Sequence, residues 1–238
     1  MKKNQFKFNL GVSIFGLAFM LMSSLLLSGC KEDISTEAYA TKTEPTLIDK
    51  IDEKSDELSS IRKLLDEVKL GNKSNSSSMT SVLSARGNYT VFAPNDEAVK
   101  QCVIELTGDE TGNIESLSYE QKQLIVLNCI IDNGDASAYE SVEFPTSNQT
   151  FALSNLNNRR LKCMQDAESH DYFINGDATS GSRVVGTDYE CTNGMLHVVS
   201  KVILPSTKSV SELISVADNM HIFGKLLRET GLYDELAL

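Results

Sequence analysis

The apolar positions of the chain fall into distinct textures. Residues 10–27 are nearly all apolar. From Leu47 to Leu70 apolar residues recur at helical spacing, Leu47, Ile48 and Ile51 on one short face and Leu58, Ile61, Leu64, Leu65 and Val68 on another. Gly71 is placed to stop that run. Asn72 to Ser78, with four serines and no apolar residue, reads as a flexible loop. Gly87 to Lys100 changes period midway. Tyr89, Thr90, Val91 and Phe92 are aromatic and β-branched and predict a strand. Pro94 has no N–H to give a ladder, and it holds Ala93 out of helical angles. Asn95 is a good N-cap, Asp96 and Glu97 place negative charge on a first helical turn, and the helix runs to about Gly108.

Ser118 and Gln121 form a capping box for a further helix. Its Leu124, Ile125, Val126, Leu127, Ile130 and Ile131 are apolar almost all round, which predicts burial on several sides. From Ser141 the pattern shortens to strand candidates at Thr150–Leu153, Arg160–Met164, His170–Ile174 and Ser182–Val185. Asn157-Asn158, Asn175-Gly176-Asp177 and Ser180-Gly181 supply turn chemistry between them. Asn193-Gly194 turns into a last strand with Leu196, Val198, Val202 and Leu204 on one face. Helices first and antiparallel strands later predict an α+β domain.

The N-terminus has the layout of a secretory signal: Lys2, Lys3 and Lys7 precede the apolar run. Leu27-Ser28-Gly29-Cys30 resembles the lipobox of bacterial lipoproteins, which implies cleavage after residue 29 and acylation of Cys30. The competing reading is an uncleaved membrane anchor. Lys31-Glu32-Asp33 is similar to the surface-export signal of lipoproteins in some Gram-negative bacteria. Residues 30–44 then form an acylated, flexible tether.

Tyr89-Thr90-Val91-Phe92-Ala93-Pro94-Asn95-Asp96-Glu97-Ala98 closely resembles the first signature of the fasciclin (FAS1) domain. Asn193-Gly194-Met195-Leu196-His197 through Leu204-Pro205 resembles the second. The resemblance implies a FAS1 domain over 45–207, with N-terminal helices packed on an antiparallel sheet wedge or sandwich. Thr90, Phe92, Ala93, Pro94, Asn95, Asn193, Gly194 and His197 are then its structural motif residues. The Tyr-His pair linked to adhesion in some animal members is replaced here by Leu127-Asn128-Cys129-Ile130, so that site is not carried over.

Near the C-terminus, Lys225-Leu226-Leu227-Arg228-Glu229 repeats Lys63-Leu64-Leu65-Asp66-Glu67, and Leu213-Ile214 echoes Leu47-Ile48. Residues 208–238 therefore look like the opening helices of a second, incomplete FAS1 domain. The alternative is a C-terminal helix packing on the first domain. Four cysteines besides Cys30 allow three pairings. The fold analogy favours Cys102 with Cys129 and Cys163 with Cys191, against four buried free thiols.

A net charge of -11 leaves no basic stripe for nucleic acid. No two cysteines have zinc-chelate spacing, and neither a Gly-x-Ser-x-Gly elbow nor a His-Glu-x-x-His motif is present. Asp132-Asn133-Gly134-Asp135 is half a calcium loop and reads as a tight turn. His197 reads as a packed strand residue. The expectation is a non-enzymatic binding or adhesion module with no catalytic residue, cofactor or metal. It would be lipid-anchored at the outer membrane and exposed at the cell surface, with a protein or glycan partner there. An accessory subunit of a surface glycan-binding and uptake system is the alternative, and a hydrolase with an unmarked site the weaker one.

Overall fold

The helical run from Leu47 folds as two helices. Thr46 caps α1 (Leu47–Glu53) in a reciprocal box with Asp49. The next helix, α2 (Ser55–Glu67), breaks at Leu58, whose φ of -121° and ψ of 21° are not helical. In the computed structural model, which describes residues 44–71, 76–205 and 209–236, α2 ends at Val68 rather than Gly71. Lys69–Leu70 (β1) instead pairs with Ser77–Ser78 (β2). Cys30, Lys31, Glu32 and Asp33 lie outside the described residues. Ser78 then caps a short helix, α3 (Met79–Ser84), that the serine-rich stretch before it gives no sign of.

The first signature folds as expected. Strand β3 (Tyr89–Pro94) leads to α4 (Asp96–Thr107), with the Asn95 side chain accepting the Ala98 N–H at 2.9 Å and Gly108 closing the helix in a left-handed conformation. Helix α5 (Tyr119–Asn128) keeps its capping box but is shorter than expected. Ile130 and Ile131 belong to a strand, β4 (Ile130–Asp132), paired with Val91 and Thr90 of β3. An all-round apolar run hides the point where a helix becomes a strand, because both are buried.

Strands β5 (Gln149–Thr150), β6 (Lys162–Gln165), β7 (Tyr172–Ile174), β8 (Ser182–Cys191) and β9 (Gly194–Val199) complete a seven-stranded sheet. Its order is β4-β3-β9-β8-β7-β6-β5. The α+β class holds. The sheet is mixed rather than antiparallel as expected: the two signature strands, β3 and β9, run parallel, from Tyr89 opposite Gly194 to Pro94 opposite Val199. Every other pair is antiparallel. Met195 to Val199 are buried without alternation, as suits a central strand covered on both faces. Val202 and Leu204 lie beyond that strand.

Three further helices follow: α6 (Val210–Val216), α7 (His221–Glu229) and α8 (Leu232–Glu235). The expected boundary at residues 207 and 208 falls outside the described residues.

Candidate functional site

The signature residues build a buried joint. Asn193 is its cross-link. Its Oδ1 accepts the Leu47 N–H at the start of α1 at 2.9 Å, while its Nδ2 donates to the carbonyls of Leu83 and Ala85 at 2.6 and 2.8 Å. One side chain thus satisfies an orphan donor of one helix and carbonyls at the end of another. Gly194 has a φ of 153°, and a Cβ there would collide with the Tyr89 carbonyl, so the parallel approach of β9 to β3 requires glycine. Thr90 donates its hydroxyl to Asn133 at 3.0 Å and accepts the Tyr139 N–H at 2.9 Å.

Asp96 acts outside its own helix. The break at Leu58 frees the Ser60 N–H, and an Asp96 oxygen accepts it at 2.7 Å while the other accepts the Ser59 hydroxyl at 2.7 Å. The first signature therefore caps the second half of α2 from across the domain.

His197 lies fully buried against Phe92 and Phe144, with ring centroids 5.3 and 4.9 Å away. Its Nε2 faces the Tyr139 carbonyl at 2.9 Å, and its Nδ1 accepts the Asp188 N–H at 3.3 Å. This fixes a neutral ring with Nε2 protonated. Burial pulls its pKa down to about 4, against smaller upward pulls from the Tyr139 carbonyl and Asp188. Both nitrogens are occupied, so His197 offers no lone pair to a substrate. Burial raises the pKa of Asp188, yet the Ser141 hydroxyl and N–H that its carboxylate accepts bring it below the ordinary value.

The expected pairings Cys102–Cys129 and Cys163–Cys191 are not formed: all four thiols are free and buried. The Cys129 thiol donates to the Val126 carbonyl at 3.1 Å inside the core, whereas Cys102 lines a cleft beside α4. Cys163 sits on β6 opposite Ile174, and β7 separates β6 from β8. Ile174 pairs with Ser182, at the opposite end of β8 from Cys191. That offset is on the order of 25–30 Å at strand rise, against the ~7 Å Cα limit of a bridge. Burial pushes the thiols up to about 11 at Cys102 and Cys191 and about 12 at Cys129 and Cys163, where they are poor nucleophiles.

The cleft beside α4 has a volume of about 360 Å³ and is lined as well by the β7–β8 turn and residues 200–205. Cys102, Ile174, Val202 and Ile203 form its apolar part, and Glu105 and Lys201 are its charged lining residues. A single carboxylate and a single ammonium supply no acid–base couple of tuned carboxyls. Asp132 to Gly134 form a tight turn, with the Gly134 N–H donated to Asp132 at 2.9 Å. Among the described residues no cluster of three metal-binding side chains occurs, and no helix is long and apolar enough to cross a membrane.

Two structural groups escape a sequence reading. Lys122, nearly buried on α5, pairs with Glu67 of α2 at 2.6 Å, and its signal is a lone lysine beside an apolar run. Asn128, where the Tyr-His pair is absent, is buried and accepts from Asn155 and Asn157. Nothing local marks that cluster.

Residues 56–205 match the Fasciclin domain family. The transforming growth factor-beta-induced protein ig-h3 of Oryctolagus cuniculus is 24% identical over 154 residues, covering 61% of this chain and 19% of that protein. The chain thus spans about a fifth of that relative's length. A solved FAS1 domain pair from the insect cell adhesion molecule Fasciclin I aligns over 63% of this chain and 48% of that one, at 16% identity and a TM-score of 0.37. The family match covers well over half of the sequence and includes both signature strands, and the chain belongs to the Fasciclin domain family.

Proposed function

We propose that this chain is a lipid-anchored, surface-exposed lipoprotein whose FAS1 domain is a binding or adhesion module rather than an enzyme. The Fasciclin match over residues 56–205 carries the module part of this reading. Support comes from the signature residues Asn193, Thr90 and His197, whose polar atoms are hydrogen-bonded inside the joint. Leu27-Ser28-Gly29-Cys30 supplies the anchor and residues 31–44 the spacer. The test is palmitate labelling with protease treatment of intact cells. The full chain takes up label and is trimmed from outside. Cys30→Ala loses the label and leaves the membrane, and a variant that stays firmly membrane-bound overturns the anchor.

A second reading, an accessory subunit of a glycan-binding and uptake system, has the cleft beside α4 in its favour. Its volume suits a small ligand, and Gln101, Asn175, Ser180 and Ser200 place amide and hydroxyl groups around it. Saturable binding of oligosaccharides that is lost in Gln101→Ala and Asn175→Ala supports this reading, and flat titrations dismiss it.

A further inference from the structure

We propose that α6 and α7 are a second copy of the opening pair α1–α2, and that their bare apolar face is the seat for the sheet of a second FAS1 body. This inference goes beyond the surface-module reading and does not depend on the lipid anchor.

The equivalence is structural, residue by residue. Ser209 and Glu212 cap α6 with the same reciprocal box that Thr46 and Asp49 give α1. In the first pair the Leu58 N–H closes the turn after α1 on the Lys54 carbonyl, and in the tail the Met220 N–H does so on that of Ala217. The tail turn is one residue shorter. From there the register is constant: Met220 stands at Leu58, Phe223 at Ile61, Leu226 at Leu64, and α7 ends at Glu229 as α2 ends at Glu67. Met220 even repeats the break, with a φ of -121° and ψ of 13° against -121° and 21° at Leu58. Caps and break therefore align Ile214 with Ile51, not with Ile48 as the Leu-Ile echo in the sequence has it.

The two copies bury one face alike and the other differently. Ile214 and Leu227 are buried, as are their counterparts Ile51 and Leu65. That is the face by which the two helices hold each other. The other face departs. Leu58, Ile61 and Leu64 are 0% exposed, while Met220, Phe223 and Leu226 are 42%, 50% and 49% exposed. In the first copy α2 packs on β3, α4 and α5. Among the described residues no side chain caps the N-terminal amides of α7, at the place where Asp96 of the first signature serves Ser60. The occupant is thereby specified twice over. It is an apolar FAS1 sheet with a strand–Pro–Asn–Asp turn that sets an acidic side chain on the amide of Ile222.

The probe is the sheet body of this same chain. Residues 68–205 are joined after Glu229 of the full chain, in the register that follows Glu67. Amide exchange and limited proteolysis are then read on both bodies. The expected result is a second folded, protease-resistant body and at least about tenfold slower exchange at His221 to Phe223. Phe223→Asp with Leu226→Asp abolishes both effects and leaves the first domain intact. Met220→Leu with Phe223→Ile makes the tail face match α2 and removes side-chain misfit as an explanation. An added body that stays unfolded on both the native and the matched tail overturns the proposal.

Discussion

Helices α2 and α7 share a residue plan, a backbone break and a length of final segment, yet only α2 has a sheet over its outer face. In α2 the side chains of Leu58, Ile61 and Leu64 are out of water, and each contributes about 1.5–3 kcal/mol by that burial. In α7 the equivalent side chains, 42–50% exposed, leave about half of that contribution unrealised. Helices of seven and nine residues are marginal on their own in water, so α6 and α7 depend on the contact between them. Periodicity therefore encodes a face, and the partner of that face is a separate matter.

The largest expected difference is a paired truncation. Leu64→Ala should cost about 2–5 kcal/mol, as a fully buried leucine leaves a cavity. Leu226→Ala should change global stability by no more than about 0.5 kcal/mol. Urea melts of both variants give the comparison, and equal costs would dissolve it.

Acid should separate the regions next. His197 titrates in the joint of the first domain, where its pKa is about 4 against 6.5 for an ordinary histidine. The unfolded chain takes up this proton first. The contribution is whole above pH 6.5 and is lost as pH falls to about 4, by an amount on the order of 3 kcal/mol. His197→Phe should flatten that part of the stability profile, as read from melts at stepped pH. The tail pair has no buried histidine, so exchange at its amides should not follow the same curve.

The smallest effect concerns the break. Asp96→Ala removes the acceptor for Ser60 and should cost about 1 kcal/mol, the scale of a lost helix cap. It should also speed exchange at Ser60 towards the rate at Ile222. Unchanged exchange at Ser60 would show that α2 and α7 do not differ by this cap.

Much of the first domain was legible because its signals are local. Pro94 and Asn95 set a turn and a cap within a few residues of themselves, and Ser118 with Gln121 did the same for α5. The α5–β4 boundary was illegible because Leu127 to Ile131 are buried in both conformations. The joint was legible as motif residues but not as a joint. That Asn193 reaches Leu47 across 146 residues follows from no spacing rule. The cysteine pairings failed for the same reason: analogy set the strand of Cys163 beside that of Cys191, whereas β7 lies between them and the register carries Cys191 to the far end of β8.

The sequence by itself determined where most of the helices start, which residues must turn and which faces are apolar, and it carries the echo of Lys63–Glu67 at Lys225–Glu229. Tertiary structure alone decided that the signature strands lie parallel side by side, that four thiols stay apart, and that the outer face of α2 is covered while that of α7 stays about half exposed. The physical reason is range. Capping, chirality and periodicity act within a turn or two of the backbone, whereas burial needs a second surface, and that surface is supplied by distant chain, 37 residues away where Asp96 meets Ser59 and 146 where Asn193 meets Leu47.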